Sequence, residues 1–271
     1  FAGGIPDPAL FPKDVFAESY ARVLTSEGAG TALQYSVSEG NLALRKWLVG
    51  YMASLGIACQ VENIIITSGS QQGLDYLGKL LLSPGDTALV NWPTYLGALQ
   101  AFNAYEPHYD RLIPLGNRPA EDFAKAAQER GGAVKFAYAS ADFANPTGET
   151  LDRQTRERIL DLAGELDIPV IEDAAYQSLR YGGEPVPPML ALDIARCGHI
   201  DAARTIYCGS FSKTLSPGLR VGWICAAAPV ISRLVLMKQA ADLNTSTINQ
   251  MVLADVAERY FDTQVATIRK A

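Results

Sequence analysis

Asn63-Ile64-Ile65-Ile66-Thr67-Ser68-Gly69-Ser70-Gln71-Gln72-Gly73 decides the fold class. The β-branched run 63–67 is too short for a helix and too apolar for one-sided burial, so it is read as a strand covered on both faces. Ser68-Gly69-Ser70 turns the chain, and a helical pattern runs from there to Leu82, where Ser83-Pro84-Gly85-Asp86 breaks it. The same unit recurs outward in both directions. Strands are expected at 87–91, 108–113, 134–140, 169–172, 205–208 and 221–226. Helices are expected at 14–26, 41–55, 95–104, 120–130, 152–166, 230–241 and 248–260, with Asp152 as an N-cap. Strands alternating with helices of this length predict an α/β fold: a mostly parallel, seven-stranded sheet sandwiched by helices. Ligands in such folds bind beyond the carboxyl ends of the strands.

Composition narrows the function. The chain has 271 residues, 48% of them hydrophobic and 19% charged, enough for a large folded core. A net charge of −6 gives no basic face for nucleic acid and no attraction to an anionic membrane. Cys59, Cys197, Cys208 and Cys225 form no C-x-x-C pair and are read as free thiols of a reducing, cytoplasmic protein. With only His108 and His199, a histidine-rich metal site is excluded. The apolar stretch 221–237 is interrupted by Pro229 and Arg233 and is no membrane span. Neither phosphate-binding pattern, G-x-x-x-x-G-K-[ST] or G-x-G-x-x-G after a strand, occurs. One large domain over 32–271 is the simplest organisation, with residues 1–31 as an N-terminal arm or small-domain segment. No initiator Met or signal peptide is present, so the chain is expected to be part of a longer protein.

Three strand ends hold the chemistry. The segment Gly209-Ser210-Phe211-Ser212-Lys213-Thr214-Leu215-Ser216-Pro217-Gly218-Leu219-Arg220 packs hydroxyls, a lysine and an arginine into one turn. Hydroxyls, backbone N–H groups and an arginine suit a phosphate, and a neighbouring lysine can form an imine with a bound aldehyde. Asn145-Pro146-Thr147-Gly148 follows the strand at 134–140, and Glu172-Asp173-Ala174-Ala175-Tyr176 follows the strand at 169–171. Alone, each has an ordinary reading: a surface lysine, a turn, an acidic strand end.

Together, Asn145, Asp173, Tyr176, Ser210-x-Ser212-Lys213 and Arg220, in that order, resemble the class I/II aminotransferases of pyridoxal phosphate (PLP) fold type I. The resemblance is nearest to the aminoadipate/kynurenine branch and to the aminotransferase-like domains of some bacterial regulators. It runs from Ala2-Gly3-Gly4-Ile5-Pro6 to Ser246-Thr247-Ile248-Asn249-Gln250. It implies the PLP-binding large domain of a homodimeric enzyme that moves an amino group from an amino acid to a 2-oxo acid. Lys213 would form the cofactor imine and shuttle the proton, a task that needs the neutral amine. Asp173 would pair with the pyridine nitrogen. Tyr176 and Asn145 would bond the 3′ oxygen. Ser210, Ser212 and Arg220 would hold the phosphate, helped by Ser70 and Gln71 at a helix start. Ser70 could equally be a plain N-cap. Tyr95 would stack on the ring or be a core tyrosine. Tyr35 would reach the phosphate of the partner subunit or be a packed loop tyrosine.

Some features depart from the family pattern. No arginine can be assigned to the substrate carboxylate, which relatives take from a C-terminal small domain, so that domain is expected to be missing. The chain alone is then expected to bind PLP better than it turns over amino acids. Ala174-Ala175 replaces a bulkier pair, and Ser140-Ala141-Asp142-Phe143 replaces a Pro-containing run, which leaves the substrate class open. A lyase, decarboxylase or racemase on the same fold, or a PLP-sensing domain of a transcription regulator, would keep the same cofactor residues.

Overall fold

The computed structural model describes residues 4–113, 116 and 118–271. Its strands are β1 (Ile64–Thr67), β2 (Thr87–Val90), β3 (His108–Arg111), β4 (Val134–Ala139), β5 (Val170–Asp173), β6 (Thr205–Ser210) and β7 (Gly222–Cys225). They form one sheet in the order β1-β7-β6-β5-β4-β2-β3. β7 is antiparallel to both neighbours, and the remaining pairs are parallel. The predicted α/β architecture is therefore observed.

The strands are short and apolar because both faces are covered. Ile64 and Ile66 enter one cluster, and Ile65 enters the cluster on the opposite face. That is the period-2 alternation of a pleated strand with no solvent side. Each fully buried isoleucine contributes about 1.5–3 kcal/mol. One face is covered by α3 (Leu42–Ser54) and α10 (Thr247–Lys270), where Trp47, Phe261, Phe211 and Trp223 meet edge to face or tilted. The other face is covered by α4 (Ser70–Leu81), α5 (Leu96–Asn103) and α9 (Ala228–Ala241). A third cluster buries Phe123 of α6 (Ala120–Glu129), Ile159 of α7 (Arg153–Glu165) and Leu192 of α8 (Met189–Cys197).

Capping sets several boundaries. Asn41 accepts from the Leu44 N–H at 3.1 Å and Asp152 from the Thr155 N–H at 2.7 Å, so both are N-caps. Pro229 sits in the first turn of α9, where its missing N–H costs nothing, so that helix starts ahead of the predicted Val230. α10 runs ten residues past the predicted end at Tyr260, because Phe261, Gln264 and Val265 continue its buried stripe. α8 is not foreshadowed by the sequence pattern. Its first turn is bonded by a distant carboxylate, as described below.

α1 (Lys13–Thr25), followed by the single turn α2 (Ala29–Ala32), lies along α10. Ser19 donates to the Val252 carbonyl at 3.3 Å, Tyr20 donates to Asn249 Oδ1 at 2.8 Å, and Arg22 pairs with Asp255 at 3.3 Å. Within the arm read at 1–31, residues 1–3 lie outside the described residues.

Candidate active site

The carboxyl ends of β4, β5 and β6 and the start of α4 converge. With the exception of Tyr35, every sequence candidate lines one cavity of about 190 Å³ there. Asp173 is the last residue of β5 and Ser210 the last of β6, and parallel pairing brings their strand ends together. Sheet topology thus gathers residues far apart in the chain.

Asp173 is buried. Its Oδ2 accepts the Tyr138 hydroxyl at 2.7 Å, while Oδ1 is buried with no hydrogen-bond partner in the protein. Burial pushes its carboxyl up, opposed by the Tyr138 bond, by the Ala175 backbone N–H and by the nearby Lys213 charge. A buried carboxylate oxygen without a donor from the protein is costly, and Asp173 lines the cavity.

Lys213 is half-buried and donates to the Gly4 carbonyl at 2.6 Å. Burial holds its amine below the ordinary lysine value. Arg220 acts in the same direction and Asp173 opposes it. The site therefore makes the neutral amine, which a nucleophile or proton carrier needs, easier to reach than on an exposed lysine. The ammonium lies 5.5 Å from the centroid of the Tyr176 ring. A Cβ at Gly4 would lie 2.9 Å from the Tyr176 hydroxyl and 3.8 Å from Asn145 Nδ2, so the arm passes directly over these side chains. Gly4 has φ +49, which also favours glycine. Burial raises the Tyr176 hydroxyl, with Tyr95 and Asp173 adding to it and the Asn145 side-chain hydrogen bond opposing it.

The end of the cavity whose groups suit an anion lies at α4. Gly69 is its N-cap, has φ +82 and supplies no side-chain cap, so Ser70 is the first helical residue and not the cap. Helix-start amides and the helix dipole face this end of the cavity. The Arg220 guanidinium lies against Gly69, so close that a Cβ there would overlap it. Arg220 itself has φ +52, a left-handed conformation that costs a non-glycine residue about 1–2 kcal/mol. Strain of that kind collects at ligand sites. Ser210 Oγ accepts the Ser212 N–H at 3.1 Å, which shapes the turn. Gln71 spends its side-chain amide on the Gly97 carbonyl at 2.6 Å. Tyr95 caps α5 and folds its ring over Gly97, which has no space for a Cβ. Burial raises its hydroxyl, with Asp173 adding to the rise and Arg220 opposing it.

Tyr35 is the exception. It is 77% exposed and lines no part of this cavity. The sequence reading also passed over Tyr138. Its only local signal is a hydroxyl in a strand otherwise buried on both faces. Ser140, Ala175 and Pro217 complete the wall.

Residues 13–271 match the family described as Aminotransferase class I and II. The chain is 39% identical to aromatic-amino-acid aminotransferase 1 of Thermococcus litoralis over 98% of its length, and 37% identical to 2-aminoadipate transaminase of Thermus thermophilus over all of it. It spans 64% and 65% of those two proteins. The crystal structure of Pyrococcus horikoshii kynurenine aminotransferase, in complex with PMP, superposes with a TM-score of 0.88 at 38% identity, covering 99% of this chain and 66% of that one. A lysine kept towards neutrality, an acid with one oxygen open and an uncapped helix start, all at strand ends of a sheet shared with these proteins, agree with the match over 13–271: the chain belongs to the aminotransferase class I and II family.

Proposed function

We propose that the chain binds pyridoxal 5′-phosphate and, within its whole protein, transfers an amino group from an amino acid to a 2-oxo acid. The observation behind this is the pairing of Lys213, kept towards its neutral form, with Asp173, whose buried Oδ1 lacks a donor. The residues present fit the cofactor. Asp173 Oδ1 offers an acceptor to a protonated pyridine nitrogen. Ser70, Ser210, Ser212 and Arg220 surround a phosphate position, and Gln71 adds its place in the first turn of α4. Tyr95 supplies an aromatic face, and Asn145 and Tyr176 supply donors for the 3′ oxygen.

The bound cofactor supplies an electron sink for the charge left at Cα when a proton is removed. The protein supplies the rest. Lys213 would hold the cofactor through its amine and, once released, would move the proton at Cα. Asp173 would keep the ring nitrogen protonated, and Tyr138, whose hydroxyl donates to Oδ2, fixes that carboxylate. Gly4 and the arm cover the amine and limit water. Over the full cycle the donor leaves as its 2-oxo acid and the acceptor leaves as its amino acid. Amino group and electron pair pass between them, and no further oxidant is needed.

Tyr35 is assigned to a second copy of the chain. Like Leu33, Val37, Trp92 and Leu96 it is more than half exposed, apolar surface of the kind a partner subunit of a homodimer would cover. We read 1–31 as an arm and 32–271 as the cofactor domain. Four free thiols fit a cytoplasmic protein.

The test is an absorbance spectrum of the full-length protein with PLP, before and after amino acids, beside Lys213→Ala. An imine band that needs Lys213 and gives way to a pyridoxamine-type band supports transamination. Loss of Lys213 is expected to lower turnover by about 10²–10⁴-fold. A Lys213-dependent band that no amino acid changes favours the sensor reading, and the absence of any such band rejects the cofactor assignment.

A further inference from the structure

The turn into α4 passes through Ser68-Gly69-Ser70, and Ser70, Gln71 and Arg220 line the cofactor cavity there. Gln72, Lys238 and Asp242, which bond the same turn, do not line that cavity. We propose that Asp242 and Lys238 are positioning residues for the cofactor phosphate. Together they fix the side-chain amide of Gln72, and that amide fixes the backbone of the turn. The inference rests on the cofactor reading above and adds to it the residues that shape its phosphate end.

Hydrogen-bond polarity gives the first argument. Gln72 Oε1 accepts the Ser68 N–H at 2.8 Å and Lys238 Nζ at 3.0 Å. Gln72 Nε2 donates to Asp242 Oδ2 at 2.8 Å. Lys238 also donates to both Asp242 oxygens, at 2.8 and 2.9 Å. An ammonium only donates and a carboxylate only accepts, so the pair admits one orientation of the amide. That orientation points Oε1 at the Ser68 N–H. Ser68 Oγ donates to Asp242 Oδ2 as well, at 3.0 Å. The turn has no slack elsewhere. A Cβ at Gly222 of β7 would lie 2.6 Å from the Ser70 nitrogen, and one at Gly69 would overlap Arg220. The turn is thus clamped between β7 and the Lys238–Asp242–Gln72 network.

Stability alone does not account for these charges. Lys238 is fully buried, and replacing a buried ion pair by apolar side chains is often neutral or stabilising. Asp242 is the C-cap of α9, the helix end at which a carboxylate is disfavoured. Leu243 beside it has φ +65, a left-handed conformation unfavourable for leucine. Burial pushes the Asp242 carboxyl up, but bonds from Gln72, Lys238 and Ser68 outweigh it and hold it below its ordinary value. The result is a fixed Ser68 backbone, two residues ahead of the first helical residue of α4. Donors aligned before an anion arrives bind it without a reordering cost.

The test compares PLP with pyridoxal, which lacks the phosphate, as ligands of the full-length apoprotein, by titration of the imine band. Asp242→Asn replaces the acceptor-only group with an amide that can also donate. The Asp242 side chain is 31% exposed, so this variant is expected to fold. It should raise the dissociation constant for PLP about tenfold and that for pyridoxal less than about twofold, the scale of one charge-assisted hydrogen bond. Combining Lys238→Met with Asp242→Asn removes both charges, so no unpaired ammonium is left buried. The double variant should show the same selective loss, with denaturant midpoints of the apoproteins confirming that it is folded. A purely structural role would weaken both ligands alike. Equal losses for PLP and pyridoxal, or an unchanged PLP affinity in the folded double variant, would overturn this inference and leave the cofactor reading standing. A wild-type protein that forms no Lys213-dependent imine band with PLP overturns both.

Discussion

Glu172 and Asp173 are consecutive residues of β5, both carboxylates and both buried, yet their surroundings are opposite. They project to opposite faces of the sheet. Glu172 Oε1 accepts the Met189 N–H at 2.8 Å and Oε2 accepts the Leu190 N–H at 3.0 Å, which caps α8 from a distant strand. Arg156, fully buried, stands 3.9 Å from Glu172 and 3.0 Å from Asp142, and donates to the carbonyls of Leu151, Pro187 and Ala141. Asp173 has one oxygen bonded by Tyr138 and the other left open on a cavity wall. The satisfied acid holds the scaffold, and the unsatisfied acid lines the cavity with one oxygen unanswered by the protein. Burial alone does not separate these roles; the count of answered lone pairs does.

The same cluster also ties the site loops together. Asp142, between β4 and Asn145, is gripped by Arg156 and by Arg180 at 2.5 Å. The loop that presents Asn145 is thus anchored to the back of the strand that presents Asp173.

The contrast can be broken most directly at Arg156. Arg156→Met leaves Glu172 and Asp142 without their shared cation, and is expected to cost about 3–5 kcal/mol of folding stability, read from denaturant midpoints. A loss below about 1 kcal/mol would mean that the network is solvated and not structural. Next in size is Asp173→Asn. It should lower kcat by about 10²–10³-fold, the scale of removing a fixed charge from a developing charge. The unliganded protein should stay as stable as before or gain slightly, because a half-answered buried carboxylate disappears. If Asp173→Asn destabilised the protein as much as Arg156→Met, the two acids would not differ in role. The same variant removes the charge that supports the Lys213 ammonium, so the midpoint for reaction of Lys213 with an aldehyde should move to lower pH.

The smallest effect is a slope. Burial pushes the Glu172 carboxyl up to about 7, against Arg156 and the two backbone donors, from an ordinary 4.5. Between those values the folded protein keeps a proton that the unfolded chain has lost. Stability therefore falls as pH rises through this window and levels off above it. The contribution is roughly 1 kcal/mol per pH unit. Comparing denaturation of the protein and of Glu172→Gln at about pH 5 and about pH 8 isolates it. Identical slopes in both would show that Glu172 is ionised throughout.

Two differences between the expected and the observed elements are instructive. α8 was invisible because its N-terminus is capped by Glu172, a residue on another element, and no local Ser, Thr, Asp or Asn announces it. α10 was cut short because the stripe Phe261, Gln264, Val265 becomes apolar burial only once the body of the protein is beside it. Tyr138 was missed for a related reason: its partner Asp173 lies 35 residues away and is brought near by strand pairing.

By itself, the sequence determined the alternation of short buried strands and helices, and with it a mostly parallel sheet. It also determined which strand ends bear a lysine, an acid, hydroxyls and an arginine, because periodicity and turn residues are local properties of the chain. Only the tertiary structure decided that Asp173 keeps one oxygen free while Glu172 keeps none, and that the arm lays Gly4 over Lys213. It alone decided that Lys238 and Asp242 turn the Gln72 amide toward the Ser68 N–H. Each of these depends on contacts between residues distant in sequence, and hydrogen-bond satisfaction and desolvation are settled only when those residues meet.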